Sequence, residues 1–571
     1  MNAKSNTTPS WDQQVDLLVM GAGPAGMTTA LVAALEGIKP LILEKSAWVG
    51  GTAATSAGTV WIPGNRQSLE AGYTDSADAA ARYMDALIGG PDVDGRRTAY
   101  LATGPKVVDY LREKTDVHFV PCGKHPDYRD MDGAAITGRA LAPAMFDGRL
   151  LGKDFERVRP PIPEFMVLGG MMAGKSDLAP LIHRFQSMSN FIYSGQLFFR
   201  YVVDRLRYSR GTRVVMGNAL VSRLFYSLRK KNVPVMFETT VQEVIWDAGR
   251  VVGVVAQSQG KRLRIQTRRG LVIATGGYGH NTKLRQMFMP KPTPPLSVAC
   301  QSNTGDGIEL GLAHGGVVAP ETQGPGAFWT PVSVTKRPDG SRGVYPHLSL
   351  DRAKPGLIAV NSAGKRFVNE ANSYHDFVEG MYASHKTVPT MPAYLICEAN
   401  FVKQYGLGNV YPGTTNLKRF EADGYLLTAP TLEALALKLK IPSENLTATV
   451  SRYNAMAVQG KDLDFGKGDS ELNRFNGDPT QMPNPCLRPI AHGPFVAMEV
   501  WPAEIGTSTG LMTNADAQVL DSQGQVRDGL YAVGNDMASI MMGTYPGPGT
   551  TLGPGLTFGY RAAMHAAGKT V

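Results

Sequence analysis

Apolar residues near the start of the chain fall into two short runs flanking a stretch of helical period. Val15 to Met20 reads as a buried parallel strand, Met27 to Glu36 carries alanine and leucine at helical spacing, and the run Pro40 to Leu43 reads as a second buried strand. The first turn between them is Gly21-Ala22-Gly23-Pro24-Ala25-Gly26, and Glu44 stands 18 residues past its third glycine. Strand, glycine turn, helix, strand and acid in this order predict a βαβ dinucleotide-binding unit. The glycines make the turn and let the backbone approach a diphosphate, and the acid takes a ribose hydroxyl. Two later runs have the same strand-to-glycine form: Leu271-Val272-Ile273 into Ala274-Thr275-Gly276-Gly277, and Gly529 to Val533 into Gly534-Asn535-Asp536.

The pattern changes near the C-terminus, where Thr544-Tyr545-Pro546-Gly547-Pro548-Gly549-Thr550-Thr551-Leu552 leads into an Ala-rich periodic segment. Pro-Gly steps force turns, and a helix N-terminus is a ready anion site. Tyr545 lies four residues before the bare amide of Gly549, so a hydroxyl and an amide can converge on one oxygen in the manner of an oxyanion hole. Alone, the stretch reads equally as a Gly/Pro-rich loop before a terminal helix.

Composition narrows the class. At 571 residues and 43% hydrophobic, the length predicts more than one domain, and the 64 glycines predict many tight turns. The four cysteines (Cys122, Cys300, Cys397, Cys486) are far apart and suit a reducing cytoplasm. Met1 to Gln14 lacks an apolar signal core and no uncharged apolar run reaches 18 residues, so neither secretion nor membrane spanning is expected. His118, His125, His280, His347 and His492 show no ligand spacing, so no metal site is expected, and no nucleic-acid motif accompanies the net charge of +9.

A second glycine turn, Val49-Gly50-Gly51-Thr52-Ala53, follows Glu44-Lys45 and decides which dinucleotide is meant. It resembles the FAD domain of the fumarate reductase and succinate dehydrogenase flavoprotein superfamily, as do the 271–277 and 529–536 runs, Gly305-Asp306-Gly307-Ile308-Glu309-Leu310-Gly311 and Gly364-Lys365-Arg366-Phe367-Val368-Asn369-Glu370. The resemblance implies an α/β fold: a Rossmann-like FAD-binding domain in two parts, 1–290 and 489–571, with an inserted α+β catalytic domain over 291–488. It places FAD on Gly21, Gly23, Pro24, Ala25, Gly26, Glu44, Lys45, Gly50, Gly51, Thr52, Ala274, Thr275, Gly276, Gly534, Asn535, Asp536, Thr551 and Leu552. No histidine lies between Gly50 and Gly64, where succinate dehydrogenase relatives carry their flavin linkage, so the FAD is expected to be non-covalent.

Within that superfamily, Gly58-Thr59-Val60-Trp61-Ile62-Pro63 and Tyr545-Pro546-Gly547-Pro548-Gly549 with Thr551-Leu552-Gly553-Pro554 resemble the 3-ketosteroid Δ1-dehydrogenases. Tyr374, after Asn369-Glu370-Ala371-Asn372-Ser373, and Tyr128, closing His125-Pro126-Asp127-Tyr128, fall where that family places its own tyrosines. The resemblance implies FAD-dependent conversion of a 3-keto-4-ene steroid to a 1,4-diene. Tyr545 and Gly549 would hold the C3 oxygen, Tyr374 would take the C2 proton, Tyr128 would assist it, and a hydride would pass from C1 to flavin N5. Pro494-Phe495-Val496-Ala497 departs from the pattern, since relatives often carry a tyrosine there. An enzyme forming the 4,5 double bond of 5α-steroids would share most of these motifs; a fumarate-type reductase would need arginine and histidine clamps; a flavin-fold lipid carrier would not need every glycine intact. No second G-x-G-x-x-G follows a strand, so a quinone, another carrier or oxygen is expected as acceptor instead of a nicotinamide.

The positive charge is concentrated where the resemblance is interrupted, near 155–230; relatives acting on cholest-4-en-3-one also look longer, so the resemblance implies a substrate that keeps its side chain. Arg157 to Lys231 holds 13 lysines and arginines against Glu164, Asp177 and Asp204, a net +10. Bulky apolar residues from Phe191 to Tyr208 alternate with Arg200, Arg205, Arg207 and Arg210. The pattern predicts an amphipathic helix that either lies on an anionic membrane face, making a cytoplasmic protein peripheral there, or packs on the FAD domain or a subunit.

Overall fold

The computed structural model of the chain describes residues 10–319, 326–337, 339–348 and 351–571. A six-stranded sheet runs in the order Val235–Met236, Pro40–Leu43, Leu17–Met20, Leu271–Ile273, Val526–Ala532, Gln518–Leu520. Its first five strands pair parallel and the last antiparallel, with Leu18 opposite both Leu41 and Leu271, and Leu271 opposite Leu530. Leu17, Leu18, Val19, Leu41, Ile42, Leu271 and Leu530 are fully buried, as expected of parallel strands covered on both faces. The helix Pro24–Leu35 lies against this sheet and against the terminal helix Leu552–Ala566.

The first apolar run divides at Asp16. Gln13–Val15 pairs with Lys261–Thr267 in a separate four-stranded sheet, and the Asp16 carboxylate accepts from Lys39 N at 2.8 Å, so a polar residue marks the passage from one sheet to the other.

A second six-stranded sheet is built on the 13-residue strand Phe495–Thr507. That strand pairs antiparallel with Ala327–Lys336, Ala393–Glu398 and Leu427–Ala429, and Arg342–Pro346 and Leu357–Val360 flank the set. It lies beyond residue 488, and at its end Thr507 Oγ1 donates to Asn535 O at 3.4 Å, which ties this sheet to the last glycine turn of the first.

The basic segment holds three helices, Lys175–Ile182 and two longer ones of opposite character. In Met216–Lys230, Leu220, Val221, Leu224, Phe225 and Leu228 are buried, and a Cβ on Gly217 would lie 1.8 Å from Ala53 O, so this helix braces the second glycine turn. In Met188–Arg205 only Ser194 and Asp204 are buried, whereas Phe199 is 71% exposed. Polar pins hold that helix instead of a core: Tyr193 Oη donates to Asp177 at 2.5 Å and Tyr201 Oη to Leu168 O at 3.0 Å. Among the described residues no helix is long and apolar enough to cross a membrane.

Candidate active site

One cavity runs from the glycine turns of the first sheet to the base of the second. At its near end Gly21 follows the strand Leu17–Met20 with φ +109°, and a Cβ there would lie 2.3 Å from Ala274 O, so only glycine fits. Gly26 brings the helix onto the strand, since its Cβ would meet Gly21 O at 2.2 Å. Gly23 caps the helix without a side-chain hydrogen bond and Pro24 has no N–H, so the amides of the first turn are left for an anion. Glu44 closes the turn: its carboxylate accepts from Ala22 N and Ser46 N, both at 2.8 Å, and it still lines the cavity.

The other expected cofactor residues converge on the same space, except Asp536, which is fully buried and outside the cavity lining, and Gly26, which is also outside that lining. Gly50, with φ +114°, starts the short turn Gly51–Thr55, and Thr52 Oγ1 accepts from Cys300 N at 2.9 Å and Asn303 Nδ2 at 3.0 Å. Asp536 accepts from Thr275 Oγ1 at 2.8 Å and Gly276 N at 2.9 Å, and burial pushes its carboxyl up to about 6. Lys45 is drawn to Asp306 at 2.7 Å. Pro24, Ala25, Lys45, Ala274, Gly534, Asn535, Thr551 and Leu552 line the cavity, the last two at the uncapped start of the terminal helix. A Cβ added at Gly23 or Gly51 would meet nothing within 4 Å, and both residues line the cavity. This cradle of bare backbone and uncapped helix starts fits an extended dinucleotide.

At the far end three tyrosines meet. Tyr128 stacks on Tyr545 with ring centroids 5.5 Å apart, and Tyr374 meets the edges of both at 5.6 and 5.3 Å. Tyr128 Oη and Tyr374 Oη are 3.1 Å apart. Tyr374 is the first residue of the helix Tyr374–His385, capped by Ser373, whose Oγ accepts from Asp376 N at 3.1 Å. The N-terminal end of a helix favours negative charge placed against it. Burial works the other way: it raises the phenol of Tyr374 well above its ordinary value and Tyr128 adds to this, while Tyr545 and the charge of Arg352 oppose it. Tyr128 and Tyr545 are raised for the same first reason.

The loop bearing Tyr545 is fixed by its own backbone. Pro546 O accepts from Tyr83 Oη at 2.7 Å and from Tyr128 N at 2.8 Å, which registers this loop against the turn that carries Tyr128. Gly549 has φ +97°, its Cβ would lie 2.4 Å from Thr59 O, and it lines the cavity with the three tyrosines.

Two supports lie outside the expected site residues. Asp127 accepts from Trp61 Nε1 at 2.8 Å, Ala135 N at 3.0 Å and Arg139 at 2.6 Å, a buried set beside Tyr128 in which burial raises the carboxyl to about 6. Arg352, 1% exposed, donates to Glu370 O at 2.7 Å and Asn372 O at 3.2 Å and so holds the loop that presents Tyr374. Adjacency to Tyr128 was the only sequence signal for Asp127; Arg352 had none.

The model of the family "FAD binding domain" matches residues 16–552. A 3-oxosteroid 1-dehydrogenase of Mycobacterium tuberculosis is 34% identical, covering 97% of this chain and 98% of its own. The chain belongs to the 3-oxosteroid 1-dehydrogenase family of FAD-binding proteins. A 4-oxocyclohex-2-ene-1-carboxylate 5-dehydrogenase of Sinomonas cyclohexanicum is 35% identical over 97% of this chain and 93% of its own, so relatives of similar identity bear names for ketones of very different size. The crystal structure of 3-ketosteroid Δ1-dehydrogenase from Sterolibacterium denitrificans in complex with 1,4-androstadiene-3,17-dione has a TM-score of 0.90 at 34% identity, covering 97% of this chain and 100% of that one. The family assignment agrees with the glycine cradle and the FAD-domain fold.

Proposed function

We propose that this protein removes hydrogen from C1 and C2 of a 3-keto-4-ene steroid, giving the 1,4-diene. The observation that carries this reading is the meeting of Tyr128, Tyr374 and Tyr545 in one cavity with the dinucleotide cradle. FAD, when bound in that cradle, supplies the acceptor for the hydride that leaves C1. Tyr545 Oη and Gly549 N–H hold the C3 oxygen as it gains negative charge, and a buried site strengthens both bonds. Tyr374 Oη accepts the C2 proton. Between two hydroxyls the bond at 3.1 Å can run either way, but once Tyr374 is anionic Tyr128 must donate. Anaerobic mixing of the yellow protein with androst-4-ene-3,17-dione tests the reading through flavin bleaching and the product formed.

The one-ring ketone of the Sinomonas relative offers the same cyclohexenone chemistry, so the wall of the cavity away from the tyrosines decides between the two sizes. The FAD-binding portion we propose comprises 1–290 and 489–571, with 291–488 as the catalytic insertion to which the strand Phe495–Thr507 contributes. FAD held in the cradle would need an external acceptor to be reoxidised, for which a quinone or another carrier is our reading.

The exposed helix Met188–Arg205 supports peripheral docking on an anionic membrane. Phe198, Phe199, Val202 and Leu206 are 52%, 71%, 44% and 79% exposed, and Arg205 and Arg207 stand among them. Aromatic and arginine side chains mixed on one exposed face match an interfacial helix, and a water-insoluble substrate would pass from lipid to cavity without crossing water.

A further inference from the structure

The basic segment begins with a strap that reaches the cavity before its helices start. Arg159-Pro160-Pro161-Ile162-Pro163 is stiffened by three prolines, and the short turn Pro163–Phe165 that follows places Phe165 in the cavity wall beside Pro346 and Leu348. The Phe165 ring meets the edge of Tyr345, with centroids 5.9 Å apart at 80°. Its ring partner is on the edge strand Arg342–Pro346 of the second sheet, outside the tyrosine trio.

Glu164 fixes that placement. It is 6% exposed, and both its oxygens are engaged by Arg337, from Nε at 2.8 Å and from Nη2 at 3.0 Å, a two-pronged charged contact joining residues 173 apart in sequence. The slot for the carboxylate is built into the sheet: Gly343 sits opposite Thr335, and a Cβ on it would lie 2.1 Å from Glu164 Oε1. Tyr411 Oη adds a bond to Glu164 O at 3.4 Å. The strap is therefore clamped to the second sheet, whose fold the dinucleotide cradle does not require.

We propose that Phe165 determines substrate size: it is the wall against which the part of a multi-ring ketone remote from the enolising carbonyl rests, and the Glu164–Arg337 clamp holds it there. The inference deepens the dehydrogenase reading and rests on it. A one-ring ketone seated on Tyr545 and Gly549 ends before that wall, and a steroid reaches it. Phe165 thus contributes binding shared by ground state and transition state, which appears in KM and leaves kcat alone.

The test compares androst-4-ene-3,17-dione with 4-oxocyclohex-2-ene-1-carboxylate, the latter measured as substrate or as competitive inhibitor. In flavin-loaded Phe165→Ala the steroid KM should rise on the order of tenfold, as expected when one apolar wall of a pocket is removed, with kcat and the one-ring constant unchanged. Arg337→Ala and Gly343→Ala should reproduce the selective rise by releasing the strap, and Arg337→Lys should restore part of it. A steroid KM equal to that of wild type in folded, flavin-loaded Phe165→Ala overturns the inference, as does an equal rise for both ketones. Wild-type protein that the steroid fails to bleach overturns the dehydrogenase reading instead, and this inference with it.

Discussion

Tyr128 and Tyr374, separated by 246 residues, bring their hydroxyls to 3.1 Å with Tyr545 against both rings. Each lies on a different element: the turn after Pro126, the first residue of a helix, and the loop whose Pro546 carbonyl accepts from Tyr83 and Tyr128. Three phenols are thus assembled in one buried place, where we propose that one accepts a proton, one donates to it and one binds the ketone oxygen.

Tyr374→Phe should cost about 10²- to 10⁴-fold in kcat, the usual worth of a positioned base, with FAD still bound. Tyr545→Phe should cost on the order of 10²-fold or more, since it removes one of two donors to the enolate oxygen. Steady-state rates on folded, yellow variants check both, and near-wild-type turnover by Tyr374→Phe places the base elsewhere.

The pH profile has a determined sign. Burial raises the Tyr374 phenol, so its proton-accepting form becomes more populated as pH rises, and kcat/KM should climb through neutral into alkaline pH. Tyr128 raises the Tyr374 phenol while both are neutral, but the bond it donates to the phenolate is charge-assisted and the stronger of the two, so Tyr128→Phe should move this climb to higher pH, with a milder loss of rate at the optimum. An unchanged profile in that variant would mean that Tyr128 does not assist ionisation.

Gly21→Ala should yield folded protein with little bound flavin, because the new Cβ would lie 2.3 Å from Ala274 O and displace the turn. The ratio of visible to ultraviolet absorbance after purification reads this directly. In wild type, acid precipitation should release all the yellow colour to the supernatant, as expected for flavin held by backbone and helix starts without a covalent link; colour in the pellet contradicts it.

Binding to anionic liposomes should be reversible and salt-sensitive, and weakened by replacing Phe198, Phe199 and Tyr201 with Ser. Flotation at low ionic strength in which wild-type protein stays at the bottom, with or without sterol in the vesicles, removes the membrane reading.

The glycine turns were legible in the sequence because a left-handed or close-approach backbone admits one residue type, which fixes spacing: Gly21, Gly26, Gly50 and Gly549 each show it. The tyrosines were legible only through the motifs around them, since nothing in the spacing of Tyr128, Tyr374 and Tyr545 announces contact. The basic segment has one composition and two outcomes. Met216–Lys230 is buried against the second glycine turn while Met188–Arg205 faces outward, and the difference depends on tertiary partners that charge and period do not encode. Asp16, a lone acid inside an apolar run, is the one visible mark of the strand break there, and hydrophobic period alone runs straight through it. Arg352 and the Glu164–Arg337 clamp act through long-range contacts to carbonyls and carboxylates, for which one chain carries no local pattern.

The central claim is that the tyrosine constellation drives 1,2-dehydrogenation. Anaerobic titration of the purified yellow protein with androst-4-ene-3,17-dione, followed by product analysis, tests it most directly. The account predicts loss of the flavin absorbance with one 1,4-dien-3-one formed for each flavin reduced, and no bleaching in Tyr374→Phe on the same time scale. Flavin that stays oxidised with this ketone, or that is reduced only by a 5α-dihydro steroid to give the 4-ene, would contradict it.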